Sequence, residues 1–182
     1  MTREEFQKLA SPQGENEVKL VNLYDEYYPK VARYAYVRIG NRTEAEDIAS
    51  EVFLKALDSL RNYQERGLPM QAWLFRIAHN LIVDYLRKNS QHQNVPLENV
   101  DLIEETDPAA TAENNLEMLR VKEALRDLTE DQREVIRLRF FSGLTSQEVS
   151  AIMKKSDGAV REMQRAALEK LRRKLNGPAP GR

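Results

Sequence analysis

The chain has 182 residues, with 28 Lys and Arg against 29 Asp and Glu and 41% hydrophobic residues, a composition typical of helical soluble proteins with room for one or two small cores. It has no cysteine, which excludes a disulfide framework and any cysteine-based zinc site. No apolar run reaches membrane-spanning length and Met1-Thr-Arg-Glu-Glu-Phe6 has no signal-peptide core, so the expectation is a cytoplasmic protein without membrane insertion.

The net charge of −1 conceals an uneven distribution. Residues 1–88 carry 13 basic and 13 acidic side chains, residues 89–115 carry 6 acids and no Lys or Arg, and residues 116–182 carry 15 basic and 10 acidic. A basic C-terminal part behind an acidic middle suggests phosphate contacts at one end. A solvated helical surface accounts for the same distribution equally well.

In chain order, residues 1–17 read as an N-terminal tail. Val18, Val21, Tyr24 and Tyr28 suggest a first helix, and Pro29 suits the opening of a second that ends at Gly40. Thr43 and Glu46 have capping-box spacing ahead of a stripe of Ala45, Ile48, Ala49, Val52, Phe53, Ala56, Leu57 and Leu60. Gly67 and Pro69 punctuate a break over residues 61–69. The next helix, about Met70 to Asn89, has Leu74, Ile77, Ala78, Leu81 and Tyr85 to bury.

That helix also carries a polar strip. Trp73, Arg76, Asn80, Asp84 and Arg87 recur at three- and four-residue spacing, and Asn62, Tyr63 and Arg66 lie in the loop before it. An aromatic ring beside basic and amide groups suits single-stranded or opened DNA, whose unstacked bases rest on the ring while amides read their edges. A half-buried Trp73 among solvated neighbours fits the same spacing. His79 reads as a helix-surface residue and His92 as part of the following segment.

Periodicity dissolves from Ser90 to about Ala112, a linker by composition. It resumes with Met118, Val121, Leu125 and Leu128, then Thr129 and Gln132 as a capping box before Val135, Ile136, Leu138, Phe140 and Phe141, stopping at Gly143. Thr145 with Glu148 opens a short helix that buries Val149, Ile152 and Met153. Ser156 caps the last helix, with Asp157 near its positive end and Val160, Met163, Ala167, Leu168, Leu171 and Leu175 facing inward. Arg161, Glu162 and Arg165 then point outward from its first turns, where the second helix of a helix-turn-helix meets base edges. There is no P-loop, GxGxxG, HExxH or ExxH pair, so no enzyme, cofactor or metal is expected.

Three of these segments together resemble a known family. Glu44-Ala-Glu-Asp-Ile-Ala-Ser-Glu-Val-Phe-Leu-Lys-Ala56, Ala72-Trp-Leu-Phe-Arg-Ile-Ala-His-Asn-Leu-Ile-Val-Asp-Tyr-Leu-Arg-Lys88, and Leu128-Thr-Glu-Asp-Gln-Arg-Glu-Val-Ile-Arg-Leu-Arg-Phe140 with the helix-turn-helix are similar, in order and spacing, to bacterial RNA polymerase sigma factors of the extracytoplasmic function (ECF) class. The resemblance covers roughly residues 18–175. It implies an all-α fold of two small helical domains joined by a flexible linker, the C-terminal one containing the helix-turn-helix. The expected layout is 1–17 N-terminal tail, 18–89 sigma region 2, 90–115 acidic linker, 116–176 sigma region 4 and 177–182 C-terminal tail.

What the resemblance implies can be placed by residue. Asp47 and Glu51 would meet the clamp of core RNA polymerase, and Phe140 or Phe141 its flap. Asn62, Tyr63 and Arg66 would form a base-capturing loop, and Asn80, flanked by Trp73, Arg76, Arg87 and Lys88, would read the opened −10 strand. Arg161, Glu162 and Arg165 would face the −35 major groove, with Lys154, Lys155, Ser156, Lys170, Arg172 and Arg173 near phosphates. The partners implied are core RNA polymerase, promoter DNA and an anti-sigma factor. Three features depart from the common pattern: Ser50 stands where many members have Gln, Met153-Lys-Lys155 fills a turn that often holds Gly, and Val160-Arg-Glu-Met-Gln-Arg165 is not the most frequent version of the recognition helix. A helix-turn-helix regulator working without polymerase, or a helical adaptor, shares the C-terminal motif but not the strip on the helix around residue 80.

Overall fold

A computed structural model of the chain describes residues 1–11, 14–63, 68–92, 121 and 123–176. The fold is all-α, in two helical domains, and every regular element among the described residues is a helix. The first domain is built from α1 (Arg3–Ala10), α2 (Glu15–Ile39), α3 (Arg42–Ser59) and α4 (Met70–His92). The second contains helical residues at 123–126, then α5 (Glu130–Ile136), α6 (Ser146–Met153) and α7 (Asp157–Asn176). The expected linker lies almost wholly outside the described residues, as does the tail at 177–182.

The N-terminal tail is not a tail throughout. Thr2 and Glu5 form a reciprocal capping box, Thr2 N donating to Glu5 Oε2 at 2.7 Å and Glu5 N to Thr2 Oγ1 at 3.3 Å, and α1 follows. Phe6 is fully buried, stacked on Tyr24 at 5.0 Å and edge-on to Phe53 at 5.5 Å. A helix of this length is marginal alone in water. Its Phe6 ring, seated between α2 and α3, supplies the missing stabilisation.

Two further boundaries differ from expectation. The pair of helices around Pro29 is one continuous helix with the proline inside. Proline lacks the N–H that would bond one turn back, a cost of about 3 kcal/mol; Val21, Tyr24, Val31 and Tyr34, all buried, anchor both flanks in one core and offset it. Gly40 then ends α2 in the left-handed region at φ 72°, its N–H bonding Tyr36 O at 2.8 Å. The cap of α3 is Asn41, whose Oδ1 accepts from Glu44 N at 3.1 Å, rather than Thr43, which lies inside the helix. Asparagine directly after the left-handed glycine occupies the capping position first.

The predicted α3 stripe is buried except for Leu57, which is half-buried against the same core, and α4 buries Ala72, Trp73, Leu74, Phe75, Ala78 and Ile82. Ile77, Leu81 and Tyr85 are half-buried against the same core. In the second domain the capping boxes at Thr129/Gln132 and Thr145/Glu148 both form. The helix expected to run through Phe141 changes pitch: after Ile136, residues Arg137–Phe141 make a wider π-helical turn. Leu138 faces inward with no exposure while Phe140 is 59% exposed.

The two domains are not separate bodies. Tyr34, Phe75, Ala78 and Ile82 of the first belong to the same contiguous apolar cluster as Val135, Leu138, Leu144, Val149, Ile152 and Val160 of the second. Helix α6 packs against α4, and the 137–141 turn packs against α2. A smaller cluster of Leu128, Ile136 and Ala167 joins α5 to α7.

Candidate nucleic-acid interface

Helix α4 presents one polar strip to solvent, and its makeup differs in one member from the sequence reading. Arg76, Asn80, Asp84, Arg87 and Lys88 are exposed, Arg87 Nη2 pairing with Asp84 Oδ1 at 3.0 Å. Trp73 is only 7% exposed and packs on Tyr63, ring centroids 4.8 Å apart. Its indole therefore props the half-buried Tyr63 ring rather than standing free for a base. Tyr63 OH in turn donates to Leu68 O at 3.3 Å. Arg66 lies outside the described residues, as does the side chain of Asn62.

The helix-turn-helix is built as the capping signals predict. Thr145 opens α6, and Ser156 Oγ accepts from Ala159 N at 3.2 Å to open α7. Val149 and Ile152 pack against Val160 in the shared core, and Ala167 is buried. Leu168, expected to face inward, is 41% exposed; Ala167 next to it takes the inward position and the helix turns Leu168 away. Arg161, Glu162 and Arg165 stand exposed on the first turns of α7.

Those outward arginines are held in place by carboxylates. Arg161 pairs with Asp157, and Arg165 with Glu162 at 2.7 Å and Glu169 at 3.4 Å. Hydrogen bonding from Arg161, and then from Ser146, keeps the Asp157 carboxyl below its ordinary range. The Arg165 guanidinium does the same for Glu162. Pairs this exposed are weakly held in water, so the arginines are positioned but loosely tied.

Of the residues expected near phosphates, Lys154, Ser156, Arg172 and Arg173 are exposed. Two others are engaged inside the domain: Lys155 Nζ lies 2.9 Å from Asp131 Oδ2, and Lys170 Nζ donates to Gln132 Oε1 at 3.1 Å. Both tie α5 to the helix-turn-helix. Lys154 ends α6 with φ 54°, ψ 42°, one of two non-glycine residues at positive φ among those described. A Cβ in that region costs on the order of 1 kcal/mol. Replacing Lys154 by Gly is therefore expected to stabilise the chain by about 1 kcal/mol, seen as a denaturation midpoint shifted upward; an unchanged or lower midpoint would show that the lysine stem contributes more than the backbone strain costs.

In the first domain, Asp47 and Glu51 are exposed one turn apart on α3, Glu51 lying 3.4 Å from Lys55. Ser50 turns toward α2, its Oγ 3.1 Å from Tyr28 OH. Phe140 projects into solvent and Phe141 lies beneath the Arg33 guanidinium at 5.2 Å.

Sequence reasoning missed a buried polar cluster between the domains. Glu134 of α5 is 3% exposed. Its Oε1 accepts from Tyr34 OH and lies 2.8 Å from His79 Nδ1. An ionised carboxylate only accepts, so Nδ1 carries the proton in that contact. Its Oε2 lies 2.8 Å from Arg38 Nη1 and 3.3 Å from Arg137 Nη1. Burial alone would raise the Glu134 carboxyl; the His79 hydrogen bond, the Arg38 charge and Tyr34 outweigh it and hold the group at about 2. His79 is thus an interdomain residue rather than a surface one. The available signal was Arg38 and Glu134 falling in phase with buried apolar neighbours.

No helix among the described residues is long and apolar enough to cross a membrane. Residues 23–92 match the family model for Sigma-70 region 2, and residues 124–173 match that for Sigma-70 region 4. The chain is 36% identical over 155 residues to the ECF RNA polymerase sigma factor BldN of Streptomyces coelicolor, a match covering 84% of this chain and 59% of that protein, so it spans less than two thirds of that relative's length. It is 33% identical over 150 residues to the ECF RNA polymerase sigma factor SigD of Mycobacterium tuberculosis, covering 79% and 71%. A solved structure of the sigma factor RpoE with the anti-sigma factor NepR from Bartonella quintana shares the fold, with a TM-score of 0.67 at 23% identity over 87% of this chain and 97% of that one.

Proposed function

The chain belongs to the ECF class of the sigma-70 family, and from that membership we propose that it binds core RNA polymerase, selects promoters through −35 and −10 elements and stabilises the melted DNA. The observation that carries this reading is the pairing, in one chain, of an exposed Arg76–Asn80–Arg87 strip on α4 with the outward Arg161, Glu162 and Arg165 of α7. The first suits unpaired bases and the second a duplex groove. A regulator that bound duplex DNA alone would have use for the second only.

Catalysis belongs to the polymerase, acting in the cytoplasm; this chain contributes sequence choice and strand capture. Asp47 and Glu51 are proposed to meet basic residues of the polymerase clamp, and Phe140 an apolar site on its flap. Trp73 acts from behind, packing on Tyr63 at the start of the segment before α4. Family membership also supports restraint by an anti-sigma factor.

Reconstitution with core polymerase and promoter fragments tests the reading. Asn80→Ala removes an exposed amide and nothing from the core, so core binding is expected to stay intact while open-complex formation falls about tenfold, the value of one base contact of 1–3 kcal/mol. Tight promoter binding by the chain without polymerase, with no effect on start-site choice, would instead support the regulator reading.

A further inference from the structure

The outward face of α7 carries both signs of charge, and their arrangement sorts its cations. Glu162, Arg165 and Glu169 follow one another at spacings of three and four residues, so they stand in one column along the helix, all exposed. Arg165 Nε donates to Glu162 Oε2 at 3.0 Å and its Nη2 to Glu162 Oε1 at 2.7 Å, a two-pronged pair along one side of the guanidinium. Its Nη1 donates to Glu169 Oε2 at 3.4 Å, one turn further on. A guanidinium carries two N–H groups on each terminal nitrogen and one on Nε. With these three bonds made, one N–H on each terminal nitrogen remains for an outside acceptor. A pair of that kind is what meets O6 and N7 of a guanine.

The same column is hostile to a backbone phosphate. A phosphate oxygen at Arg165 would bring a full negative charge beside two carboxylates, whereas the acceptor edge of guanine is neutral. Water screens these charges in the free chain. In a groove that water is displaced, the effective dielectric falls and the repulsion grows. Lys154, Arg172 and Arg173 are differently placed: each is exposed, and no carboxylate among the described residues lies within ion-pair distance of it. Two acids on a helix face turned toward a polyanion weaken its hold on every sequence. Such acids fit a device for telling sequences apart, not one for affinity.

We propose that Arg165 is a specificity-determining residue that reads a guanine in the major groove, and that Glu162 and Glu169 are its positioning residues, aiming the guanidinium at a base edge and barring it from phosphate. Lys154, Arg172 and Arg173 then carry the sequence-independent grip on the backbone. The assignment rests on the duplex-binding part of the function proposed above and adds to it which cation reads and which two acids make it read.

The test is equilibrium binding of holoenzyme, reconstituted from core polymerase and the full chain, to a promoter library varied at each −35 base pair and titrated with salt. The wild type is expected to prefer guanine at one position by about 10- to 100-fold, the value of one bidentate contact. Arg165→Ala should abolish that preference and leave the slope of log affinity against log salt unchanged. Arg173→Ala should weaken every sequence alike and make the slope shallower by about 0.9, the value of one phosphate. The double variant Glu162→Gln with Glu169→Gln keeps the arginine and removes the charges that direct it. Its binding should tighten across the library, its slope steepen by about 0.9, and its guanine preference fall about tenfold. All four side chains are exposed on one helix, and circular dichroism should show every variant folded. The assignment is overturned if the wild type has no guanine preference, if Arg165→Ala gives the uniform, salt-dependent loss expected of Arg173→Ala, or if the double glutamine variant keeps the wild-type preference. If the chain does not bind core, the sigma-factor reading falls, and the same library bound by the chain alone still decides the role of Arg165. Absence of duplex binding by either form would overturn both.

Discussion

Replacing Phe6 by alanine is expected to destabilise the first domain by about 3 kcal/mol. The ring has no exposure and touches two aromatic rings, stacked on Tyr24 and edge-on to Phe53. Truncating a buried phenylalanine costs about 3–5 kcal/mol through lost transfer energy and the cavity left behind. The lower figure applies here because α1 can detach by itself, and the loss cannot exceed the free energy with which α1 docks. Tyr24 OH donates to Met1 O in a part-buried contact, while Arg3 paired with Asp25 at 3.0 Å is exposed and contributes little. Thermal unfolding should show a midpoint lower by roughly 10 °C or more, at 4–8 °C per kcal/mol for a domain of this size. A shift of a degree or less would return residues 1–11 to the status of a tail.

The second large effect lies on α3. Reversing both Asp47 and Glu51 to lysine is expected to weaken core-polymerase binding on the order of 100-fold. Both side chains are exposed and one turn apart, so the substitutions remove nothing from the core, and the fold should lose only a few tenths of a kcal/mol per changed helix-surface pair. At an interface, setting like charges against each other costs several kcal/mol, far above the local penalty, and this gap is what makes the measurement decisive. Asp58→Lys, exposed on the last turn of the same helix, is the control for net charge. If the double reversal binds core as the wild type does, or if Asp58→Lys weakens binding equally, α3 is not the docking surface.

Much of this molecule is written locally. The capping boxes at Thr129 and Thr145, the cap at Ser156, the buried stripe of α3 and the inward residues of α6 all follow from spacings within one or two helical turns. The exposed members of the α4 strip and the outward residues of α7 follow from the same period, and so candidate site and fold were largely legible together. Family resemblance then assigned chemistry to those faces. The α1 helix was legible only in part: Thr2 and Glu5 have capping-box spacing and Phe6 and Ala10 fall one turn apart, but eight residues are too few for a sustained stripe. Pro29 misled for the complementary reason: a strong local breaker was overruled by burial on both sides of it.

The sequence by itself determined most of the helices, the caps at Thr129, Thr145 and Ser156, the helix-turn-helix and the polar faces of α4 and α7, since each depends on residues three or four apart. Only the tertiary structure decided that Trp73 faces a tyrosine rather than solvent, that Phe6 belongs to the core, and that Glu134 meets Tyr34, Arg38 and His79. Those contacts join residues up to 100 positions apart. Periodicity reports which side of a helix is apolar; which partner covers that side, and whether a buried charge finds its counter-charge there, is settled only when the helices pack.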